Sequence, residues 1–309
     1  MVQVIAIGEL LVDLIADNYN LPLKKQTTFK RFAGGAPANF AVGIKRLGNS
    51  SGVITKVGED FFGHFLLDIL KENEVDISHI RVTDKYKTAI AFVGLDENRT
   101  PNFSFYRSPC ADITLKAEEI DEIYIKSAKL LMYGTVSMAD EPARSAIFQA
   151  IKYAKKHGLQ VACDPNLRED LWHFKDPREH LFKALKDTDI FLPSLTEAEF
   201  ITGEKGEKAL EALLELGPSI IGVTRGPEGS TIMLKDETHS APAYKVDVMD
   251  TTGAGDAYAA GLVTGLLTKM PLNQIPYFAN AVSALKITRK GAMNIPTRQE
   301  VLNFMKNYK

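Results

Sequence analysis

The chain has 309 residues, of which 45% are hydrophobic and 25% are charged, and its net charge is −2. This length allows one large domain or two, and the nearly neutral charge provides no general basic excess for nucleic acid or an anionic membrane. Cys110 and Cys163 are too far apart for a metal-ligand pair and too few for a disulfide framework, so we expect a reducing, cytoplasmic setting.

The first third of the chain alternates apolar strands with amphipathic helices. Residues 2–7 form a β-branched run that predicts a buried strand, and the turn predicted at 8–13 lacks the G-x-G-x-x-G pattern of a dinucleotide fold. Residues 51–57 predict the next strand and residues 61–72 a helix. This alternation indicates an α/β protein with a doubly wound, mostly parallel sheet flanked by helices.

A Gly-rich junction lies between the first two strands of this pattern. Gly34 and Gly35 precede an Ala-rich helix that continues to Leu47, and Asn39 would project from its first turns. The pattern is typical of a ligand-binding turn at a helix start. It is equally typical of a tight turn with a helix cap.

Two segments interrupt the alternation of strands and helices. Residues 88–95 and 102–107 predict a β-hairpin with a polar turn at 96–99, and residues 14–31 lack a helical period. Together they predict a small sheet, inserted in a single unit spanning 1–309, that serves as a lid or a dimer surface. Arg107 ends this hairpin, where it could reach a ligand or remain a solvated surface residue.

The alternation resumes with strands at 128–133 and 160–163 around a helix at 142–157. The second strand continues into Asp164, Asn166 and Arg168, at the carboxyl end where open α/β sheets bind their ligands. A type I turn containing Pro165 is the alternative interpretation.

Three further segments follow in the C-terminal half. Residues 189–192 predict a strand, after which Glu197 opens a helix. Residues 219–224 predict another strand, and the turn at 225–230 is either a plain hairpin or a loop whose N–H groups face a phosphate. A helix is predicted at 277–287, followed by a turn with Gly291.

The stretch DTTGAGDA at 250–257 is the strongest candidate for chemistry. Gly253, Ala254 and Gly255 leave the backbone bare where a helix-like run begins, so that several N–H groups can point at one anion. Asp256 would lie in the first helical turn, where a carboxylate could accept a proton from an attacking hydroxyl. The alternative interpretation is that the small residues only allow close helix packing and that the Asp is an ordinary helix cap, which would produce the same sequence pattern.

Taken together, these motifs resemble those of the ribokinase-like (PfkB) family of sugar kinases over residues 5–296. The runs GGAPAN at 34–39 and DTTGAGD at 250–256 carry most of the specificity, with VTRG at 223–226 between them. Within that family the likeness is closest to fructokinases. The subgroup resembles this chain in GELLVD at 8–13, in FYR at 105–107 and in DPNLR at 164–168.

The resemblance implies an ATP- and Mg²⁺-dependent sugar kinase that forms fructose 6-phosphate, with a small β-sheet lid that often mediates homodimerisation in the family. It assigns Asp256 as the general base and the backbone at 253–255 as an anion hole for the transferred phosphoryl group. It implies sugar binding by Asp13, Gly34, Gly35, Asn39, Arg107, Asn166 and Arg168, and nucleotide binding by Thr224, Gly226, Gly229, Asn280 and Gly291. It assigns Glu197 to Mg²⁺ through water, and Asp250 and Thr252 to a monovalent cation such as K⁺.

One departure and two alternatives accompany the resemblance. The family often has Asn at the position of Ser194, three residues before Glu197. This difference concerns only the water shell expected around Mg²⁺. A 2-keto-3-deoxygluconate kinase is the nearest alternative, because Arg107 and the 164–168 segment could serve an acid sugar. A non-catalytic sugar-binding regulator on the same fold is the alternative from another class.

Overall fold

The computed structural model describes residues 2–18, 21–95, 101–172 and 176–308. The turn predicted at 96–99 lies outside these residues. The strands are β1 Val4–Ile7, β2 Leu11–Ala16, β3 Phe29–Gly34, β4 Ser51–Gly58, β5 Ile80–Thr83, β6 Ile90–Leu95, β7 Pro101–Tyr106, β8 Leu130–Gly134, β9 Gln160–Asp164, β10 Ile190–Phe191, β11 Ile220–Thr224, β12 Ser230–Met233 and β13 Thr238–Ala241. The α-helices are α1 Ala36–Arg46, α2 Phe61–Glu72, α3 Glu122–Lys126, α4 Ala143–Lys156, α5 Arg178–Leu185, α6 Leu195–Thr202, α7 Glu207–Glu215, α8 Ala254–Leu267, α9 Ile275–Ile287 and α10 Arg298–Asn307.

In the described part of the chain, the larger of two sheets has nine strands in the order β13-β12-β11-β10-β9-β8-β1-β4-β5. Neighbouring strands from β11 to β5 are parallel, and only β12 and β13 are added antiparallel at one edge. The mostly parallel α/β sheet predicted from the sequence is therefore confirmed.

Apolar residues of the central strand β1 point to both faces of this sheet. Val4 and Ala6 belong to one hydrophobic cluster with residues of α1, α8 and α9, whereas Ile5 and Ile7 belong to a second cluster with residues of α4 and α7. All four side chains are fully buried. A strand covered on both faces has no alternation of apolar and polar residues, which explains the continuous apolar run in the sequence.

The smaller sheet has four strands in the order β3-β2-β6-β7. Strands β6 and β7 pair antiparallel, so the predicted hairpin is confirmed, and β2 pairs antiparallel with β3 and parallel with β6. The sequence predicted a turn at 8–13, but Leu11, Val12 and Asp13 already belong to β2. All three are buried, so the segment shows no alternation that could have marked it as a strand.

None of the helices in the described parts of the chain is both long and apolar enough to cross a bilayer. Cys110 and Cys163 are both free and buried. The carboxyl ends of β1, β9 and β11 lie at one edge of the large sheet, close to the N-termini of α1 and α8, and this edge holds the candidate site.

Candidate active site

A cavity of about 440 Å³ opens between the carboxyl edge of the large sheet and the small sheet. Phe103 and Phe105 of β7 form its wall on the side of the small sheet. The residues assigned from the sequence that line this cavity are Asp13, Gly35, Asn39, Asn166, Arg168, Glu197, Thr224, Thr252, Gly253, Ala254, Gly255 and Asp256. Those that do not line it are Gly34, Arg107, Gly226, Gly229, Asp250, Asn280 and Gly291.

The N-terminus of α8 forms one wall of this cavity. Gly253 caps the helix in the left-handed conformation, with φ of 79°, and a Cβ at this position would lie 2.9 Å from the Cβ of Ala292. At Gly255 the nearest atom to an added Cβ would be Asp164 Oδ2, at 4.0 Å. The first turn of the helix is therefore open toward the cavity, and Asp256 lies in this turn as the sequence predicted.

The carboxylate of Asp256 is buried and is held by a side chain from a distant part of the chain. Asn39 Nδ2, on α1, donates a hydrogen bond to Asp256 Oδ2 at 2.8 Å. Asn39 Oδ1 is buried and has no hydrogen-bond partner among the described residues, so it is available to a ligand hydroxyl. Burial raises the pKa of Asp256 to about 6, although the bond from Asn39 lowers it. Asn39 was predicted as a sugar ligand, and its contact with Asp256 could not be predicted from sequence.

Asp13 lies on β2 in the same cavity, and its side chain occupies the space beside Gly34. A Cβ on Gly34 would lie 2.2 Å from Asp13 Oδ2, so glycine is required there to admit the carboxylate. Burial raises the pKa of Asp13 to about 7, and the negative charges of Asp250 and Asp256 add to this shift. Gly34 therefore contributes to the site through the space that it leaves.

Gly35 caps α1 and contacts the turn after β1. Its φ is 105°, and a Cβ there would lie 2.4 Å from the backbone oxygen of Glu9. The side chain of Glu9 also lines the cavity, where Oε1 accepts a hydrogen bond from Ala36 N and Oε2 accepts one from Ser137 Oγ. Sequence analysis assigned no role to Glu9, although an acidic residue directly after a buried strand was a visible signal.

The segment after β9 does not form the type I turn considered from the sequence. Asn166 has φ of 39°, in the left-handed region, and its N–H donates to Asp164 Oδ1 at 3.1 Å. Burial raises the pKa of Asp164 well above its ordinary value, with further contributions from the charges of Asp256 and Glu197. The guanidinium carbon of Arg168 lies 4.8 Å from the centre of the Phe103 ring. This segment therefore places both a carboxyl group and a cation in the cavity.

Glu197 lies on the same side of the cavity as Asp164, in the first turn of α6. Its Oε2 accepts hydrogen bonds from Ser194 N at 2.8 Å and Ser194 Oγ at 2.7 Å, and its Oε1 accepts one from Leu167 N at 2.8 Å. Ser194 is thus the helix cap that fixes the Glu197 carboxylate.

Arg107 does not line this cavity, and it is not a surface residue either. It is only 4% exposed, and its Nε donates to Asp112 Oδ2 at 2.6 Å. Its two terminal nitrogens donate to Val136 O and Ser137 Oγ. Arg107 lines a separate, smaller cavity of about 250 Å³. Asp112 could not be chosen from the sequence as the partner of Arg107 over the other carboxylates.

Three of the residues assigned to the nucleotide surround the β11–β12 turn, next to the cavity. Gly226 and Gly229 both have positive φ, and a Cβ at Gly229 would lie 2.1 Å from Ala241 O. Asn280 on α9 donates to Ala241 O and to Pro242 O, and accepts a hydrogen bond from Ser230 Oγ. Thr224, at the end of β11, is the nucleotide-assigned residue that reaches the cavity lining.

The last group of assigned residues surrounds Asp250, which is fully buried. Asp250 Oδ1 accepts a hydrogen bond from Thr252 N at 2.9 Å, and Oδ2 accepts one from Gly291 N at 2.8 Å. The backbone oxygen of Asp250 accepts a hydrogen bond from Lys286 Nζ at 3.0 Å. Burial lowers the pKa of Lys286 to about 8, against the opposing effect of nearby carboxylates. Sequence analysis did not single out Lys286, because it stands alone in an apolar helix.

Known proteins that are similar to this chain are carbohydrate kinases. The model of the pfkB family carbohydrate kinases matches residues 1–298. Probable fructokinase-6, chloroplastic, of Arabidopsis thaliana is 41% identical over 312 residues, which cover 96% of this chain and 81% of the relative. Fructokinase-2 of Zea mays is 36% identical, with coverage of 97% and 93%.

Solved structures give the same result. A candidate ribokinase II from E. coli, in complex with ATP and Mg²⁺, superposes with a TM-score of 0.92 at 28% identity and covers 99% of both chains. A fructokinase double mutant from Vibrio cholerae O395, with fructose, ADP and a potassium ion bound, superposes with a TM-score of 0.87 at 30% identity and covers 98% of both chains. The ribokinase-like fold predicted from the sequence is confirmed, and the chain belongs to the pfkB family of ATP-dependent carbohydrate kinases.

Proposed function

We propose that this carbohydrate kinase is a fructokinase, which transfers the γ-phosphoryl group of ATP to fructose and forms fructose 6-phosphate. The observation that carries the proposal is the position of Asp256, a buried carboxylate in the first turn of a helix whose N-terminus opens into the same cavity. The relatives named as fructokinases support fructose as the sugar.

Asp256 is the general base in this proposal. Its Oδ2 accepts the hydrogen bond from Asn39 at 2.8 Å, which fixes the carboxylate in the cavity. Because burial raises its pKa to about 6, the carboxylate is ionised at neutral pH and still basic enough to take a proton from the attacking hydroxyl. In this proposal the remaining sugar hydroxyls are bound by Asp13, Asn166 and Asn39 Oδ1, which line the same cavity; Asn39 Oδ1 has no partner among the described residues.

The backbone of residues 253–255 stabilises the negative charge on the transferred phosphoryl group. The first N–H groups of a helix have no partner within the helix, and the helix dipole favours an anion at this end. Gly253 and Gly255 keep the approach free of side chains. Since phosphoryl transfer leaves little covalent work to the protein, positioning and electrostatics account for most of the rate enhancement.

The acidic groups near Asp256 fit Mg²⁺ bound largely through water. Within the described residues there is no cluster of three or more His, Cys, Asp or Glu able to hold a metal, but Mg²⁺ needs only one or two carboxylates together with substrate phosphates. Glu197 and Asp164 line the cavity, and both Glu197 oxygens are already hydrogen-bonded, so Glu197 would act through water. When bound with ATP, Mg²⁺ neutralises charge on the phosphate oxygens.

Of the two residues assigned to potassium, Asp250 is already bonded to a cation of the chain itself, the ammonium group of Lys286, whereas the buried Oγ1 of Thr252 has no hydrogen-bond partner among the described residues. All three oxygens of Asp250, one backbone and two carboxylate, already accept a hydrogen bond from an N–H of the chain. No catalytic step is therefore assigned to potassium.

A second sugar class is favoured by Arg168. Its guanidinium lines the cavity and could pair with a carboxylate, as 2-keto-3-deoxygluconate would require. A coupled assay of ATP consumption with fructose, 2-keto-3-deoxygluconate and ribose separates the candidates. We expect the largest kcat/KM with fructose; a larger value with the acid sugar would replace the proposal, and sugar binding without phosphate transfer would leave only a binding protein.

The proposal extends to a homodimer formed through the small sheet. Tyr106, the last residue of β7, is 64% exposed and packs edge-on against Phe92 of β6. An exposed aromatic side chain on a small sheet is a suitable centre for an interface. We expect sedimentation velocity to report a dimer for the native chain and a monomer for Tyr106→Glu; a native monomer would contradict this part of the proposal.

A further inference from the structure

Lys286 is a buried cation to which the mechanism above gives no role. It lies near the end of α9, and its side chain is fully buried. Lysine is almost never fully buried unless it is paired, because removing an ammonium group from water is costly. An unexplained buried lysine next to an active site therefore calls for a functional interpretation.

The surroundings of Lys286 are strongly acidic. Its ammonium group donates to Asp250 O at 3.0 Å. The negative charges that act on it belong to Asp250, Asp256 and Asp13, all of which are buried and two of which line the cavity. Lys286 thus places one positive charge where three carboxylates would otherwise repel each other and an incoming phosphate.

The contacts of α9 connect Lys286 to the backbone of the anion hole. Lys286 holds the backbone oxygen of Asp250, and Ser283, three residues earlier on the same helix, donates from its Oγ to Ala254 O at 3.0 Å. Asp250 in turn accepts the N–H of Thr252 through its carboxylate. The turn between residues 250 and 254 is therefore fixed at both ends by side chains of α9.

We propose that Lys286 is a positioning residue that acts as the built-in cation of the 250–255 segment, so that phosphoryl transfer by this protein needs no added monovalent cation. The proposal rests on the anion-hole role given above to residues 253–255. It follows from the geometry of Asp250, whose backbone oxygen already accepts a hydrogen bond from the Lys286 ammonium group while each carboxylate oxygen accepts one from a backbone N–H. The ammonium group supplies the positive charge that an external ion would otherwise bring.

The first test measures stability and does not depend on the sugar. Thermal unfolding is followed for the native chain and for Lys286→Ala in potassium chloride and in tetramethylammonium chloride of equal ionic strength. An ion that binds the folded state raises the melting temperature. We expect no difference between the two salts for the native chain, and a melting temperature several degrees higher in potassium for Lys286→Ala.

The second test measures catalysis in the same two salts, with whichever sugar the native chain phosphorylates. We expect the native kcat to change by less than about twofold between the salts, and Lys286→Ala to lose about tenfold or more in tetramethylammonium with little change in the KM of the sugar. Potassium should restore much of the loss. Lys306→Ala, which removes an exposed lysine from α10, is the matched control and should behave as the native chain does.

Several outcomes would overturn the proposal. The first is a native kcat that rises about tenfold with potassium, and the second is a kcat of Lys286→Ala in tetramethylammonium that equals the native value. The third is a Lys286→Ala variant in which potassium restores neither kcat nor the melting temperature. If Lys286→Ala folds only in potassium, the proposal is supported. If Lys286→Ala folds in neither salt, Lys286→Met replaces it in the kinetic test, because methionine keeps the packing. The proposal then requires that Lys286→Met loses kcat without losing sugar affinity. A native chain that phosphorylates no sugar would refute the proposed function, and the melting experiment would still decide the role of Lys286.

Discussion

At the scale of single residues, the site depends on a contact between side chains 217 positions apart. Asn39 from α1 and Asp256 from α8 meet in the cavity, and the amide donates to the carboxylate at 2.8 Å. The bond favours the ionised form of Asp256, whereas burial favours the protonated form and has the larger effect. The result is a buried carboxylate whose pKa is raised to about 6.

This balance predicts the acid side of the pH profile. Because the pKa of Asp256 is raised to about 6, the protonated form, which cannot accept a proton, becomes populated as the pH falls through that value. We expect kcat/KM to decrease below about pH 6. Asn39→Ala removes the donor that stabilises the charged form, so its acid limb should lie at higher pH; a limb that is unmoved or at lower pH would contradict the assignment.

Replacing the base itself gives a second prediction. Asp256→Asn keeps the size of the side chain but removes its ability to take a proton, so kcat should fall by a factor on the order of 10²–10⁴. The KM for the sugar should change little, since the lost interaction is needed mainly in the transition state. Steady-state kinetics at saturating ATP measures both quantities, and a native kcat in this variant would show that Asp256 is not the base.

At the scale of elements, the proposed anion hole depends on the conformation at the start of α8. Gly253 has φ of 79° and packs against Ala292, so an alanine there would be strained by its own backbone and by its neighbour. Gly203, which caps the C-terminus of α6, is also in the left-handed conformation, with φ of 75°, but it has nothing within 4 Å of an added Cβ and lies outside the cavity lining. The two glycines therefore share the backbone requirement and differ in their surroundings.

Gly253→Ala and Gly203→Ala form a matched pair. Each should lose about 1–2 kcal/mol of unfolding free energy from the left-handed conformation, and Gly253→Ala somewhat more because of Ala292. Only Gly253→Ala should also lose kcat, because its strain shifts the backbone that faces the phosphate. Urea denaturation and steady-state kinetics measure the two effects, and an equal kcat for both variants would show that residue 253 does not shape the anion hole.

Local patterns predicted much of the fold, including the hairpin of β6 and β7 and the position of Asp256 in the first turn of α8. They did so because short-range periodicity and glycine placement are local properties. Strand β2 was mistaken for a turn over residues 11–13 because its side chains are buried on both faces. The partners of Arg107 and Lys286 were beyond prediction, since each is fixed by tertiary packing.

At the scale of the whole molecule, a buried polar network links the small sheet to the large one. Arg107 follows β7 of the small sheet and donates to Val136 O and Ser137 Oγ, in the segment after β8 of the large sheet. Ser137 continues the network by donating to Glu9, after β1. The network therefore fixes the position of the small sheet over the cavity although none of its bonds is made to Asp256.

The ion pair of Arg107 with Asp112 makes this link testable. Asp112 is 3% exposed, and its Oδ1 has no hydrogen-bond partner among the described residues, so its charge depends on Arg107. Arg107→Met leaves a buried carboxylate without its partner and should cost about 3–5 kcal/mol of unfolding free energy.

The double variant Arg107→Met with Asp112→Leu removes both charges and should recover most of that loss, because an apolar pair in the same volume pays no desolvation cost. Urea denaturation of the native chain, both single variants and the double variant gives the coupling energy directly. A double variant less stable than Arg107→Met would contradict this prediction, because both variants lack the hydrogen bonds from Arg107 to residues 136 and 137 and differ only at the unpaired carboxylate. Recovery of stability without recovery of kcat would instead show that the network serves to position the small sheet over the sugar.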